Sequence, residues 1–162
     1  MKKVFTSLFL LMLGVMTTYA TDYGLTVAGV NVTSTGNVSA GQSSGTINWD
    51  GSTLTFTNVT ISNTNSIAYL ASTSSLTSLT IKFVGTNSLT CTGSWTIRST
   101  KNLTIDGVRY TCANVLVEST KNDYGAIYVS GSSKLLIKDL FLKAVGKTYA
   151  ITGDKSYTSF EI

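Results

Sequence analysis

One short pattern recurs along the second half of the chain and constrains its fold more than any other feature. An apolar residue, a variable residue and Ile occur together four times, at residues 79–81, 103–105, 135–137 and 160–162. Successive copies are 24, 32 and 25 residues apart. Recurrence at a period above twenty residues is typical of a small structural unit that is repeated and stacked.

Two further pieces accompany this triplet. One precedes each copy, at residues 67–70, 95–97, 126–129 and 149–151, and another follows the first three copies, at residues 89–91, 110–112 and 140–142. The unit is therefore three short strands joined by turns, and stacking would join their inward side chains into one column. The pattern predicts an all-β parallel β-solenoid over residues 66–162. An antiparallel sandwich is the alternative, but it does not account for the recurrence of one triplet.

A different pattern precedes the repeats, at residues 21–65. Two alternating runs, residues 46–49 and 54–57, flank an Asp-Gly pair at Asp50 and Gly51. An Asp-Gly pair between alternating runs is a strong hairpin signal. We therefore expect a short antiparallel segment, acting as a hairpin or cap, before the solenoid.

The absence of two residue types limits the chemistry and supports the strands. The chain contains no proline and no histidine. Proline would remove ladder hydrogen bonds from strands that are paired on both sides. Without histidine, neither a Ser-His-Asp triad nor a His-containing zinc site can form.

Residues 1–20 have the pattern of a secretory signal peptide. Lys2 and Lys3 precede an apolar run over residues 4–16, and small residues end at Ala20. The run is shorter than the roughly 20 residues of a membrane-spanning helix, so we expect cleavage after Ala20, a secreted or cell-surface protein and no transmembrane segment in the mature chain. Loss of both lysines lowers the formal charge from +4 to +2, which weakens the case for a nucleic-acid partner.

The chain also resembles a known family in the order of its motifs. These are residues 23–30, residues 45–51, the Leu-Thr-Ile repeats and the Tyr-Gly-Ala-Ile-Tyr-Val-Ser-Gly piece at residues 124–131. Together they resemble secreted bacterial right-handed parallel β-helix proteins of the carbohydrate-binding, pectate-lyase-like type. The resemblance implies a right-handed coil, a glycan-binding or adhesive role and, often, calcium. It transfers no catalytic residue.

Aromatic and basic side chains in the repeats are candidates for glycan binding, because a sugar ring needs an aromatic face and polar groups around it. The candidates are Trp95, Tyr110, Tyr124, Tyr128, Tyr149, Lys134 and Lys138. The lysines would suit an acidic polysaccharide. In the alternative interpretation, the aromatic residues pack the core and the lysines solvate turns or protect open edges.

A calcium site is a second hypothesis. Asp106 and Asp139 each follow a triplet, so stacking could bring them about 5 Å apart on neighbouring coils. One calcium ion could then bridge them, although calcium usually takes six or more oxygen ligands. The alternative is that both are solvated turn residues.

The two cysteines occupy apparently matching positions in the third piece. Cys91 and Cys112 each end an apolar-Thr-Cys sequence. In an exported protein, stacking one coil apart would permit a disulfide. Two reduced cysteines stacked in the core are the equally weighted alternative.

These observations predict a secreted carbohydrate-binding or adhesion protein without catalysis, whose partner is a polysaccharide or surface glycan. A calcium-dependent polysaccharide lyase is the enzymatic alternative, and a structural stalk or coat repeat without a small ligand is the other. The sequence ends inside a triplet, at residues 160–162. We therefore expect it to be a fragment of a longer solenoid.

Overall fold

The computed structural model describes residues 21–109, 112–154 and 159–161, and this part of the chain contains strands and turns but no helix. Residues 1–20, assigned above to a signal peptide, lie outside the described residues. No helix that could cross a membrane occurs in the described ranges. The strands, in chain order, are β1 (Leu25–Val27), β2 (Val30–Asn31), β3 (Gly36–Asn37), β4 (Ser44–Trp49), β5 (Thr53–Asn63), β6 (Ala68–Leu70), β7 (Ser78–Val84), β8 (Thr86–Cys91), β9 (Ile97–Ser99), β10 (Asn102–Gly107), β11 (Ala113–Ser119), β12 (Ile127–Val129), β13 (Lys134–Lys138), β14 (Leu140–Val145), β15 (Ile151–Gly153) and β16 (Ser159–Glu161).

The strands from β5 onward form a parallel β-solenoid of about four turns with three faces. Face A consists of β6, β9, β12 and β15. Face B consists of residues 53–57 of β5 followed by β7, β10, β13 and β16. Face C consists of residues 60–63 of β5 followed by β8, β11 and β14. The predicted parallel β-solenoid is confirmed.

The triplet that predicted the fold lies in register on face B. Leu79 pairs with Leu103, and Leu103 pairs with Leu135. Their side chains are at most 1% exposed, as expected for inward positions in strands whose side chains alternate between core and surface. The first apolar residues of these three triplets thus stack on one another, and the repeat in the sequence is a repeat in the core.

The predicted alignment of the third repeating piece from coil to coil is wrong. Leu89 on β8 pairs with Val117 of β11, and Cys91 pairs with Ser119. Residues 110–111 lie outside the described residues, and Cys112 precedes β11 with a left-handed backbone, φ +46°. The connection from β10 to β11 is longer than the single residue, Gly85, between β7 and β8, so equal spacing from the triplet does not give equal position on face C.

The N-terminal side is antiparallel, as predicted. β1 pairs with β2 and with β6, while β4 pairs with β3 and β5. The Asp50 carboxylate closes the β4–β5 turn by accepting hydrogen bonds from the backbone N–H groups of Thr53, at 2.7 Å, and Ser52, at 2.8 Å. These bonds lower the pKa of Asp50. The hairpin places Trp49 opposite Leu54 in the core, where both are fully buried.

Two asparagines join successive coils at the corner between faces B and C. Asn58 Oδ1 accepts a hydrogen bond from the backbone N–H of Thr86, at 3.1 Å. In the opposite direction, Asn87 Oδ1 accepts one from the backbone N–H of Val59, at 2.9 Å. Gly85 allows this close approach: its φ is +69°, and a Cβ at this position would collide with the Asn58 side chain.

Candidate functional site

The outward residues of face A form one row. Strands β6, β9 and β12 are three residues long, and in each the two outer residues are buried while the middle one is half-buried and points outward. The middle residues are Tyr69, Arg98 and Tyr128, and the register pairs Tyr69 with Arg98 and Arg98 with Tyr128. A cation therefore lies between two phenol rings on the surface of the solenoid.

The spacing of the strands brings the Arg98 guanidinium onto both rings. Its Cζ atom is 5.0 Å from the ring centroid of Tyr69 and 5.7 Å from that of Tyr128. Both distances are within the cation–π range of about 6 Å. They follow from parallel pairing, because neighbouring strands are about 4.8 Å apart and equivalent side chains stack.

Two further rings extend this row to one side. Trp95, between β8 and β9, has its ring centroid 4.7 Å from that of Tyr128 and 5.6 Å from that of Tyr124. Gly125 leaves room for the indole, since a Cβ there would lie 2.7 Å from Trp95 Cζ3. We call the resulting cluster the aromatic strip; it consists of Tyr69, Trp95, Arg98, Tyr124 and Tyr128.

An acidic residue holds one end of the aromatic strip. The hydroxyl of Tyr128 donates a hydrogen bond of 2.6 Å to Asp154 Oδ1, and the backbone N–H of Gly131 donates one of 2.7 Å to Oδ2. The bond from Tyr128 is the main cause of a lowered pKa for Asp154, with that from Gly131 second. The same carboxylate raises the pKa of Tyr128. At neutral pH the pair is therefore a phenol bound to a carboxylate.

The structure brings together three of the aromatic residues that the sequence proposed for glycan binding: Trp95, Tyr124 and Tyr128. Tyr149 is 55% exposed and lies before β15, outside the aromatic strip. Tyr110 lies outside the described residues.

The two candidate lysines lie elsewhere. Lys134 and Lys138 are exposed residues of β13, on face B. Lys138 is engaged by Asp106, with its Nζ 3.1 Å from a carboxylate oxygen. They are therefore on a different face from the aromatic residues, and the mixed aromatic and lysine surface that the sequence suggested is not formed.

Sequence reasoning missed Tyr69 and Arg98 as members of the site. Tyr69 falls in the recurring second piece, at the place that Tyr128 occupies two coils later. That recurrence was the available signal, but the register was needed to show that Arg98 lies between the two rings.

The proposed calcium pair does not stack. Asp106 pairs with Lys138, not with Asp139, because Asp106 directly follows its triplet whereas Lys138 separates Asp139 from the triplet at residues 135–137. Asp139 is exposed and has a left-handed backbone, φ +57°. Within the described ranges, no three Asp, Glu or Cys side chains converge in a way that could hold a metal ion.

The two cysteines do not occupy matching positions, and both are free thiols. Cys91 is buried, and its Sγ lies 3.3 Å from the backbone oxygen of Asn65. Cys112 is exposed. The predicted disulfide and the alternative of two reduced cysteines stacked in the core are therefore both wrong. The reason is the longer connection from β10 to β11, which places Cys112 before the strand.

Face C carries a shallow groove of about 490 Å³. Its rim includes Phe141, which is 67% exposed, and Lys143, both on the outer strand β14. Asn87, which is buried, and Asn114, which is exposed, also line it. No pattern along the chain predicts this groove, because the groove depends on the register of three strands.

The fold and the aromatic strip define a parallel β-solenoid with a cation–aromatic ladder on one face. No family model, curated protein or solved structure matches the chain. The resemblance to the carbohydrate-binding β-helix family therefore rests only on the repeated coil pattern. The solenoid confirms the coils but not the family.

Proposed function

We propose that this protein is an exported carbohydrate-binding or adhesion protein, and that its glycan lies along the aromatic strip of face A. The observation that carries the proposal is a cluster of four half-buried aromatic rings on an outward face, two of which stack on the Arg98 guanidinium while the other two continue the cluster through ring contacts. Export rests on the signal-peptide pattern of residues 1–20.

The chemistry of the strip matches what a sugar offers. Indole and phenol rings combine an apolar surface with a polar group, so they can meet both the C–H faces and the hydroxyl groups of a sugar. Tyr128 already donates its hydroxyl hydrogen to Asp154, so its oxygen is available to accept one from a sugar. Stacked strands repeat about every 4.8 Å, which gives an extended ligand successive contacts along the solenoid.

The structural alternative, a stalk or coat repeat, predicts a plain hydroxyl surface. Face B has such a row, in which Thr53, Thr80 and Thr104 are paired strand to strand. Face A differs because its equivalent row carries rings and a cation. This contrast between two faces of one solenoid favours binding at face A.

Binding is tested on a glycan array with the chain from residue 21 to residue 162, followed by calorimetry on any glycan that is bound. We expect Trp95→Ala to weaken binding at least about fivefold, since stacking aromatic side chains contribute on the order of 1 kcal/mol or more. Phe141→Ala, which removes an exposed ring from face C, is the matched control and should bind like the wild type.

Thermal unfolding of both variants separates loss of binding from loss of the fold. A chain that binds no glycan on the array refutes the proposal. Full affinity in Trp95→Ala together with lost affinity in Phe141→Ala would move the site to the groove on face C.

A further inference from the structure

We infer that the last coil of the solenoid is a docking surface for a second copy of this chain, and that two chains pair end to end through it about a two-fold axis. The inference does not depend on glycan binding, because it follows from the strands at this end. Three observations carry it: the open edges of β14, β15 and β16, a partly buried apolar layer within their coil, and connections of equal length on either side of β15.

The last coil consists of β14 on face C, β15 on face A and β16 on face B. Within the described ranges, no strand pairs with the outer side of any of the three. The inward residues of this coil are also less covered than those of the coil before it. Ile127 is fully buried, whereas Ile151, which pairs with it, is only partly buried, as are Leu142 and Ala144 of β14. Open strand edges beside an apolar layer are a template for further pairing.

The opposite end of the solenoid is already covered. β1 pairs with β6 and β4 pairs with β5, both antiparallel, and Leu25 of β1 and Trp49 of β4 are buried. The edges that remain at that end belong to β2 and β3, which are two residues long. Edge strands this short discourage pairing. With one open end per chain, association closes at two copies and does not grow into a fibre.

The shape of the open end fits a copy of itself. Because the chain climbs as it winds, β14 is the lowest and β16 the highest strand of the last coil. A two-fold axis through β15 sets this strand antiparallel to the partner's β15 and places β14 beside the partner's β16, all at the usual strand spacing of about 4.8 Å. An axis through β14 would superimpose β15 on the partner's β16, and an axis through β16 would leave a gap.

The lengths of two connections give this pairing its register. Residues 146–150 connect β14 to β15, and residues 154–158 connect β15 to β16. Both connections are five residues long, so the chain is symmetric in length about Thr152, the middle residue of β15. The axis therefore passes at Thr152, which faces its own copy.

The same register brings opposite charges together. Lys143 and Glu161 are each nine residues from Thr152, so Lys143 lies opposite the partner subunit's Glu161. Lys143 is an exposed residue of β14, and Glu161 pairs with Leu136, at an outward position of β13. They are the only charged residues of the three strands. The axis produces the contact twice, and opposite charges on facing strand positions stabilise pairing.

Pairing also makes face A continuous across the two chains. Thr152 pairs with Tyr128, so the aromatic strip of one chain is followed by Thr152, its copy and the aromatic strip of the partner. Three strand spacings, about 14 Å in all, separate the two copies of Tyr128. A long glycan then contacts both strips, a consequence that rests on the proposed function.

Sedimentation equilibrium on the chain from residue 21 to residue 162 tests the pairing without any glycan. We expect the mean mass to rise from that of one chain to that of two between micromolar and hundreds of micromolar concentration, as for a small interface. Thr152→Lys sets two like charges against each other at the axis and should abolish the rise. Thr104→Lys, at an outward position of the inner strand β10, is the matched control and should associate like the wild type.

Two charge reversals test the register. Lys143→Glu and Glu161→Lys each create two like-charge contacts in a symmetric pair, so each variant alone should associate about tenfold more weakly. An equimolar mixture of the two variants restores opposite charges at both contacts and should associate like the wild type. Mixing can rescue only a contact between chains.

Thermal unfolding shows which variants are folded, and the mixture tests the pairing even if Thr152→Lys is not. Four results would overturn the inference: a wild-type chain that stays monomeric throughout, assemblies larger than two chains, undiminished association of folded Thr152→Lys, or a mixture that associates no better than its components. A monomer would leave the open edges to a further coil of a longer chain. A glycan array without binding would overturn the proposed function and leave the pairing intact, because sedimentation measures it separately.

Discussion

Asn87 lies inside the solenoid wall and joins two successive coils, so its replacement tests how the corner between faces B and C is held. The residue is 1% exposed. Its Oδ1 accepts from the backbone N–H of Val59, and its Nδ2 donates to the backbone oxygens of Val84, at 3.1 Å, and Gly85, at 3.3 Å. Three hydrogen bonds thus depend on one amide.

The expected cost of Asn87→Ala follows from those bonds. A buried N–H left without a partner costs about 1–3 kcal/mol, and each further bond contributes about 0.5–1.5 kcal/mol. Water can reach the carbonyl oxygens, because Asn87 also lines the groove on face C. We therefore expect the free energy of unfolding to fall by about 2–4 kcal/mol, towards the lower part of the summed range.

Urea unfolding followed by tryptophan fluorescence measures this change, since Trp49 is fully buried. Ser88→Ala is the matched control on the same strand, at a half-buried outward position, and should change stability by less than about 0.5 kcal/mol. A loss in Asn87→Ala no larger than in this control would refute the role of the corner amide.

Asn87→Asp separates hydrogen bonding from size. A carboxylate can still accept the hydrogen bond from the backbone N–H of Val59. Its second oxygen, however, would face the backbone oxygens of Val84 and Gly85, and none of these atoms can donate a hydrogen bond. Burial and these oxygens would raise the pKa of the new carboxyl group above its usual value of about 3.9. The variant should therefore be less stable at pH 7 than near pH 4, relative to the wild type at each pH. An equal deficit at both pH values would contradict this reasoning.

Three more outcomes are expected. Ile105→Ala, at a fully buried position of the stacked triplet, should reduce the free energy of unfolding by about 2–5 kcal/mol in the same urea assay; a loss under 1 kcal/mol would mean that the column is not tightly packed. Because its folded pKa is lowered, Asp154 stabilises the fold above its ordinary pKa and loses that effect as the pH falls through the lowered value. The stability difference between the wild type and Asp154→Asn should therefore disappear on acidification, and a difference that does not change with pH would exclude stabilisation by the Asp154 carboxylate. A thiol reagent should label Cys112 in the folded chain and Cys91 only after unfolding. Counting the labelled thiols should give one per chain without urea and two with urea, and two labelled thiols without urea would contradict the burial of Cys91.

Much of the fold followed from the sequence because inward side chains repeat locally. Leu103 and Ile105 are both in the core since they are two residues apart on one strand. Their copies at residues 79–81 and 135–137 carry the same pattern, and a pattern that recurs in one context identifies a coil without knowledge of its neighbours. The turn at Asp50 could also be predicted from the sequence, because it depends on contacts within four residues.

The predicted matching of the cysteines failed because it assumed equal turn lengths, and that of the aspartates failed because Asp139 lies one residue further from its triplet than Asp106 does. Asp106 lies beside Lys138 and Cys91 beside Ser119. A displacement of one residue is enough to exchange a carboxylate for an ammonium at the same position. Turn lengths between short strands are set by corners such as that of Gly85, whose geometry depends on a side chain from the preceding coil.

What the sequence determined by itself was the coil, since the alternation of buried and outward side chains and its recurrence are properties of consecutive residues. What only the tertiary structure decided was the surface. Tyr69, Arg98 and Tyr128 are about thirty residues apart in sequence from one to the next, yet they meet because three parallel strands are in register. Register is settled by backbone hydrogen bonds between coils and by packing of the core, and it places side chains on the outward face that have no pattern of their own along the chain.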